Sequence, residues 1–253
     1  MHPVFVVLKL GAVLNAYLLH SSFGVSGAPD GVLLPAQIFF LVSAWRCTFP
    51  NRYANNAVLH DSVCSSSLLT RMLATVAEIT WIYQLSHVAR MLAVPAELRA
   101  VADALSWVMV AQCCVSQLLV WVTVLSGVRY WMFWEELGWA VIFGLNTLLN
   151  WWGRDDAALG GAARVSLWYA AFFLPYHLGL HLPSLYASRV KELAAAPRTV
   201  LSWAGLQRAA TVRLPSSELC DFGGAIGAVW MVGYWAVLPL WHAYLVSATA
   251  SGA

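Results

Sequence analysis

The sequence predicts an all-α integral membrane protein, built as a bundle of about seven transmembrane helices. Charged residues make up 10% of the 253-residue chain, against about 25% in a typical soluble domain. An α-helix needs about 20 apolar residues to cross about 30 Å of hydrocarbon. Seven long apolar stretches approach or exceed that length, and they cover residues 3–22, 32–49, 66–92, 102–128, 130–152, 164–188 and 222–250.

The connections between the stretches are short, so residues 1–253 are expected to form one membrane domain. The first stretch is expected to be a retained span, because no convincing cleavage site follows it. The longest connection, residues 189–220, mixes apolar residues, including Trp203, with basic ones. That composition predicts a segment that lies in the membrane interface. A plain surface loop is the alternative.

The distribution of basic residues predicts the orientation of the chain. The loops after the second, fourth and sixth stretches are rich in arginine and lysine, whereas the opposite side carries only four arginines. The rich side holds Arg46, Arg52, Arg129, Arg189, Lys191, Arg198, Arg208 and Arg213, and the other side holds Arg90, Arg99, Arg154 and Arg164. The N-terminus is therefore expected on the cytoplasmic or matrix side, in a bacterial plasma membrane or the mitochondrial inner membrane, with the C-terminus opposite.

The third stretch carries polar residues on two opposite faces. Arg71, Thr75 and Glu78 share one face, and Gln84 and His87 lie on the other. Such a helix is expected at the centre of the bundle, contacted on all sides. Arg71 and Glu78 are about 10 Å apart along the axis, so a direct pair is not expected without partners or water between them. A polar clamp between helices is favoured over a proton path or a buried substrate site.

The fifth stretch adds a second polar face. Glu135, Trp139, Asn146 and Asn150 align, and Glu136 lies beside the first of them. The two carboxylates fall in the first turns of the helix, where the helix dipole favours negative charge. Together with the third stretch, this face predicts a buried polar cluster of Arg71, Glu78, Gln84, His87, Glu135 and Asn146.

The sixth and last stretches carry two further patterns. His177 and His181 are one turn apart, a spacing that can present two imidazoles to one metal ion. His242, in the last stretch, is the third weak candidate for a metal or haem ligand; hydrogen-bonded structural histidines are the favoured interpretation. In the last stretch, Gly223 and Gly227 form a GxxxG pair that Gly233 extends, which predicts close packing of this helix against another.

Several classes of protein are excluded or disfavoured. A net charge of +2 without a basic block argues against nucleic acid as a partner. Five scattered cysteines form neither a disulfide framework nor a zinc ribbon. A retinal protein needs a lysine in the last helix, and the two lysines, Lys9 and Lys191, lie elsewhere. The histidines do not reproduce the order and spacing of the seven-helix zinc hydrolases of the ceramidase type.

The segment from Arg46 to Arg90 resembles one shared by a family of small multi-pass membrane proteins without an established activity. The resemblance rests on Arg46, Pro50, Asp61, Ser66, Ser67, Arg71, Ala77, Glu78 and Gln84, and it continues through Glu135, Glu136, Trp139, Pro183, Tyr186 and Arg189. It implies a multi-pass membrane fold and draws attention to Arg71 and Glu78. It implies no cofactor and no catalytic residue.

The favoured function at this level is a structural or accessory subunit of a larger membrane complex, such as a respiratory one. It is favoured because the sequence carries no complete catalytic constellation and little extramembrane mass. The expected partners are membrane lipids and other membrane subunits, with lipids bound to the protein. One alternative is an intramembrane metal- or haem-dependent enzyme or redox protein that uses Glu78 with His87, His177, His181 or His242. The other is a transporter or sensor.

Overall fold

The computed structural model describes residues 2–187 and 201–251, which form helices at all seven predicted positions. The first five are α1 (Pro3–Ser22), α2 (Asp30–Thr48), α3 (Ser67–Met91), α4 (Arg99–Ser126) and α5 (Trp131–Trp152). Helix α6 (Gly160–Tyr176) continues through a π-helical turn, His177–His181, into helical residues 182–187. After the short helix α7 (Trp203–Thr211), the last segment consists of α8 (Gly224–Val232), a second π-helical turn (Gly233–Val237) and α9 (Leu238–Ser251).

Four helical segments are long and apolar enough to cross a membrane. They are Pro3–Ser22, Asp30–Thr48, Ala96–Ser126 and Gly224–Ser251. The other three predicted spans are helical but are less apolar or shorter by the same measure. Helix α3 carries Arg71, Glu78 and Arg90, α5 carries two glutamates, and α6 is 17 residues long before its π-helical turn.

A small three-stranded sheet lies at one end of the helices. Strand β1 (Asn51–Arg52) pairs antiparallel with β2 (Ala57–Val58), and β2 pairs parallel with β3 (Leu214–Pro215). The turn between β1 and β2 has a left-handed residue, Asn56, with φ of 56°, which asparagine adopts more readily than most residues. The sheet therefore joins the α2–α3 connection to the connection that precedes α8.

Consecutive helices pack against each other from α1 to α6, and the last segment returns to contact α1, α2 and α6. The core contains Phe5 from α1, Phe39 from α2, Trp81 from α3 and Ile142 from α5, all nearly inaccessible to solvent. Helix α3 is expected to contact other helices on all its sides, but the side chains of Met72 and Val76 are about half exposed. This expectation is wrong for that strip, which is apolar, whereas the polar side chains of α3 point inward.

The last segment is broken because Pro239 has no backbone N–H. In a regular helix that N–H would donate to the carbonyl of Trp235. Here the Trp235 oxygen accepts instead from Asn15 Nδ2 at 2.9 Å and from Cys47 Sγ at 3.3 Å. The N–H of Leu238 reaches back five residues to Gly233 O, which forms the π-helical turn. The freed carbonyl thus ties the last segment to α1 and α2.

The last segment packs closely against a glycine of α1 and not through its own predicted glycine face. A Cβ on Gly11 would lie 2.7 Å from the Cβ of Ala236. Gly223 has a left-handed φ of 97° just before α8, and a Cβ on Gly227 would collide with the carbonyl oxygen of Phe222. A Cβ on Gly233 would meet nothing within 4 Å. The described contacts therefore place Gly223 in a turn and Gly227 against the backbone of that turn, and they give Gly233 no close neighbour.

The predicted interfacial segment, residues 189–220, is described only in part. Residues 188–200 lie outside the described residues. The remainder contains α7, which begins with Ser202 Oγ accepting from Gly205 N at 3.1 Å. Helix α7 buries Gly205 and Ala209 and contacts α3 and α4, while Trp203 is exposed. Its location in the membrane interface stays a prediction.

Candidate functional site

A cavity of about 280 Å³ opens between α2, α3, α5, α6 and the last segment, and we call it the chamber. Its polar wall is formed mainly by Arg46, Asn51, Arg52, Tyr53, Thr70, Arg71, Glu78, Glu135, Glu136 and His181. Its aromatic wall is formed mainly by Trp81, Trp139, Phe143, Tyr169, Phe173, Trp230, Tyr234 and Trp235. The chamber therefore combines charged groups with a large apolar surface.

The two walls lie at different depths along the helices. Arg71 is near the start of α3 and Trp81 is ten residues further on, which corresponds to about 15 Å. Glu135 and Phe143 on α5 are eight residues apart, or about 12 Å. Helices α3 and α5 run in the same direction, because the second half of α4 contacts the start of both, through Gln117 to Arg71 and through Ser116 to the backbone of Glu135. The polar wall thus extends further toward the sheet end and the aromatic wall further into the helices, and the two walls meet where Arg46 lies over the Trp235 ring.

Arg71 and Glu78 form a buried ion pair at the polar wall. Nη2 of Arg71 lies 2.5 Å from Oε2 of Glu78, and both side chains are less than 10% exposed. Gln117 of α4 completes the group, since its Oε1 accepts from Arg71 Nη2 at 2.6 Å and its Nε2 donates to Glu78 Oε2 at 2.7 Å. Thr75 receives a hydrogen bond from Trp121 Nε1 at 3.0 Å. This network joins α3 to α4.

The expectation that Arg71 and Glu78 pair only through partners or water is wrong, because their side chains contact each other directly, with Gln117 beside them. The axial separation of two turns applies to the Cα atoms, and both side chains are long enough to span it on one face of the helix. Burial of the pair also makes contact favourable, because an isolated buried charge is costly. The residues of the expected polar clamp consequently also line the chamber.

A second polar network surrounds Arg46 at the end of α2. Its Nη1 donates to Asn51 Oδ1 at 2.6 Å, and its guanidinium lies 5.0 Å from the centre of the Trp235 ring. Asn51 Nδ2 donates in turn to Ser65 O and to Thr70 Oγ1. Nε of Arg46 is buried and has no hydrogen-bond partner among residues 2–187 and 201–251. Within the described residues, no ion pair includes Arg46.

A third group lies where α5 meets the π-helical turn after α6. His181 Nε2 is 3.6 Å from Oε1 of Glu136, and His177 Nε2 is 3.8 Å from Oε2 of the same carboxylate. His177 Nε2 also lies 2.8 Å from the backbone oxygen of Glu136. The neighbouring Glu135 has a buried Oε2 to which no described residue donates a hydrogen bond. Two carboxylates and two imidazoles thus occupy one side of the chamber.

Tyr53 lies in the connection between β1 and β2 and also lines the chamber. Burial raises the pKa of Tyr53 well above its usual value, and the nearby Glu135 carboxylate acts in the same direction. The phenol therefore stays neutral and can donate a hydrogen bond. It supplies an uncharged donor beside the charged groups.

Of the predicted polar cluster, Arg71, Glu78 and Glu135 line the chamber, and the other members lie apart from it. Gln84 Nε2 donates to the backbone oxygen of Val32 at 2.8 Å, which joins α3 to α2. The ring of His87 lies against Gly31. Asn146 accepts from Asn150 within α5. These contacts are structural.

Of the histidines, His177 and His181 lie together, but His242 is separate from them. Its ring is fully buried and stacks on Phe39 with 4.0 Å between ring centres. His177, His181 and Glu136 each offer one ligand atom, and these atoms all lie within 4.8 Å of one another. Glu136 therefore replaces His242 as the third member of the histidine group.

Sequence reasoning missed Arg46, Asn51, Gln117 and Tyr53 as members of the site. A signal existed for Gln117, because a glutamine in the middle of an apolar helix needs a polar partner. Asn51 and Tyr53 carried no signal, since they reach the chamber only through the fold of the sheet.

A groove on the outside of the molecule adjoins the chamber. It lies between α6 and the last segment and is lined almost entirely by apolar and aromatic side chains. We call it the lateral groove; it is lined by Val165, Tyr169, Phe173, Tyr176, Val229, Trp230, Gly233, Tyr234, Val237, Leu238, Leu240, Trp241 and Tyr244. Tyr169, Phe173, Trp230 and Tyr234 belong to both, so the groove and the chamber are adjacent across these four rings.

Comparisons with protein-family models, with curated proteins and with solved structures found no match. The functional interpretation of the chamber is therefore drawn from its own residues.

Proposed function

We propose that this chain is a multi-pass membrane protein whose chamber binds an amphiphilic molecule with an anionic head and a long apolar chain. The observation that carries the proposal is the chamber itself, with charged groups at one end, aromatic rings at the other, and an apolar groove beside the aromatic end.

All seven helical segments are proposed to cross the bilayer. The polar residues that lower the apolar character of α3 and α5 are turned toward protein, since Arg71, Glu78, Gln84, Glu135 and Asn146 are all buried. The outer faces carry large apolar side chains, as on α1, α4 and α6, where Val13, Leu118 and Phe172 are about 70% exposed. Polar groups directed inward and apolar groups directed outward suit a lipid environment.

The chemistry of the head follows from Arg46. A buried cation is unfavourable unless it is paired, and Arg46 has an amide and an aromatic ring beside it but no carboxylate in contact within the described residues. Its free Nε–H is an unused donor. A phosphate or carboxylate group would supply both the charge and the acceptor.

The tail is expected among the aromatic rings. Binding sites of small molecules are usually apolar concavities with a few polar groups that fix orientation. The rings shared with the lateral groove would let a chain pass from the surrounding lipid into the chamber. The ligand would thus enter sideways from the bilayer, with its head toward the sheet end.

The proposal is tested by extracting the molecules that co-purify with the protein and identifying them by mass spectrometry. We expect a stoichiometric anionic amphiphile in the wild type. Ile226 lines the chamber and is exposed on its other side, so Ile226→Trp should fill the space and reduce the bound amphiphile. Val13→Trp, a similar change on the outer face of α1, should retain it. Bound lipids that merely mirror the membrane, with no difference between the variants, would overturn the proposal.

The accessory-subunit role and the partnership with other subunits stay predictions. Purification in mild detergent, followed by identification of co-migrating chains, would test them; a stable solitary chain would count against that role.

A further inference from the structure

We infer that Glu136, His177 and His181 form a binding site for a divalent transition-metal ion at the wall of the chamber. This inference goes beyond the proposed binding of an amphiphile, and either can fail without the other. Two imidazoles and one carboxylate are a ligand set for Zn²⁺ in sites that keep an open position, and the same set also suits Fe²⁺.

The three side chains are already close to the geometry of a metal site. Bonds of about 2.0–2.1 Å in a tetrahedral arrangement separate neighbouring ligand atoms by about 3.3 Å. Nε2 of His181 is 3.6 Å from Glu136 Oε1. The three ligand atoms all lie within 4.8 Å of one another. Side-chain rotations that move these atoms by on the order of 1 Å would therefore bring all three to one ion.

The hydrogen bonds of the histidines leave lone pairs for a metal. Nε2 of His181 is buried and has no hydrogen-bond partner within the part of the chain that the structure describes. His177 Nε2 donates a hydrogen bond to the Glu136 carbonyl at 2.8 Å, so the lone pair of this ring is on Nδ1, which has no partner among the described residues. Metal-bound histidines commonly donate their second ring N–H to a backbone carbonyl, which fixes the ring. His177 has this arrangement.

The backbone supports the same interpretation. His177 and His181 begin and end a π-helical turn, in which Leu182 N donates to His177 O five residues before it. Pro183 follows directly and cannot supply the hydrogen bond of a regular helix. Turns of this kind are rare in proteins, and those that occur are often at functional sites. The turn presents both imidazoles to α5, where Glu136 lies.

The charge balance also favours a cation. Glu135 and Glu136 are adjacent on this wall, and Oε2 of Glu135 is buried without a hydrogen-bond partner in the described ranges. Arg71 is already engaged by Glu78 and Gln117. A divalent ion would compensate the carboxylates and, because Glu136 and His181 line the chamber whereas His177 is fully buried behind them, its open position would face the chamber. An anionic head could then reach the ion.

The test measures metal content and metal affinity of the purified protein in detergent. Elemental analysis of the protein as isolated, and after removal of metal and addition of Zn²⁺, Fe²⁺ or Mn²⁺ separately, identifies the ion. We expect stoichiometric binding of at least Zn²⁺. His181→Gln and Glu136→Gln should weaken it by more than about 100-fold, beyond the 10–100-fold cost of losing an outer partner of a metal ligand.

His87→Gln is the matched control, because His87 is a partly buried histidine on α3 outside the group. It should bind metal like the wild type. The melting temperature of each metal-free variant reports folding, and Co²⁺ absorption bands report nitrogen and oxygen coordination without any activity assay. Absence of bound metal in the folded wild type, or equal loss in His87→Gln and His181→Gln, would overturn the inference. A wild-type protein that binds the metal but contains no amphiphile would contradict the proposed function and leave the metal site supported.

Discussion

The guanidinium of Arg71 contacts the carboxylate of Glu78 at 2.5 Å, although the two residues are seven positions apart on one helix. Gln117 bridges both partners from the neighbouring helix. The pair is buried and lines the chamber, so it holds α3 and α4 together while leaving a polar surface inside the protein. The charges that join α3 to α4 are therefore also charges that line the chamber.

Glu78→Gln should strongly destabilise the protein, because it leaves the buried cation of Arg71 unpaired. Breaking a buried pair at one partner costs about 3–5 kcal/mol in the free energy of unfolding. Replacing both partners, as in Arg71→Met with Glu78→Leu, should recover much of that loss. Reversible unfolding in mixed micelles measures these differences.

The control for that experiment is Asp61→Asn, which removes the exposed pair of Asp61 with Arg213 at 2.9 Å. Exposed pairs contribute about 0–1 kcal/mol. A cost for Glu78→Gln no larger than that of Asp61→Asn would show that the buried pair does not support the fold.

The contact between Asn15 and the Trp235 carbonyl predicts an energetic coupling with Pro239. Asn15→Ala should cost about 1 kcal/mol, because a buried carbonyl loses a donor. In Pro239→Ala the new backbone N–H can satisfy the same carbonyl. The cost of Asn15→Ala should then be smaller, which a double-mutant cycle of unfolding free energies measures. Additive effects would contradict the proposed role of the freed carbonyl.

Asp156 predicts a pH-dependent contribution to stability. Its carboxylate accepts backbone N–H bonds from Ala93, Ala158 and Leu159 at 2.6–2.7 Å. Burial acts to raise the pKa of Asp156, but the bonds from Leu159, Ala93 and Ala158 lower it below its usual value. A depressed pKa gives stability above the pKa of the unfolded chain, near 4, that is lost as pH falls through the folded value.

Asp156→Asn should therefore lower the melting temperature at pH 7, by an amount equivalent to about 1 kcal/mol, and the difference from wild type should shrink below pH 4. Asp155→Asn is the matched control, because the Asp155 side chain is 84% exposed. It should change little at either pH. A difference for Asp156→Asn that grows as pH falls would have the wrong sign.

The lateral groove predicts an effect on the rate of ligand exchange. Val229 lines the groove but not the chamber, and its side chain is exposed. Val229→Trp should slow exchange of the bound amphiphile severalfold, with less effect on the amount bound at equilibrium. Exchange of an isotope-labelled amphiphile from vesicles measures both quantities. Val13→Trp should exchange at the wild-type rate, and equal slowing in both variants would exclude the groove as the entry path.

The apolar stretches of the sequence predict the positions of the helices well, because each helix is a long apolar run with recognisable ends. Helix α1 covers the predicted residues 3–22, and α5 differs by one residue at its start. The π-helical turns could not be predicted, since Pro183 and Pro239 indicate a disturbed helix but not which carbonyl becomes free or what it binds. The latter depends on Asn15, more than 200 residues away from Trp235.

The candidate site was predictable in part for a similar reason. Arg71, Glu78, His177 and His181 are unusual in apolar helices, and their composition alone drew attention to them. Their partners required the packing of helices: Gln117 approaches from α4, and Glu136 rather than His242 meets the two histidines. Asn51 and Tyr53 belong to the α2–α3 connection, and they reach the chamber only because the small sheet folds this connection over the end of the chamber.

The most direct test of the central claim is photolabelling in membranes with a long-chain phosphate or carboxylate that carries a diazirine in its chain. Labelled peptides are mapped by mass spectrometry, with and without an excess of unlabelled amphiphile. The chamber predicts competed labels near Phe173, Trp230 and Tyr234, and their loss in Ile226→Trp. Labels spread evenly over exposed faces, including Val13 and Leu118, with no competition and no response to Ile226→Trp, would contradict it.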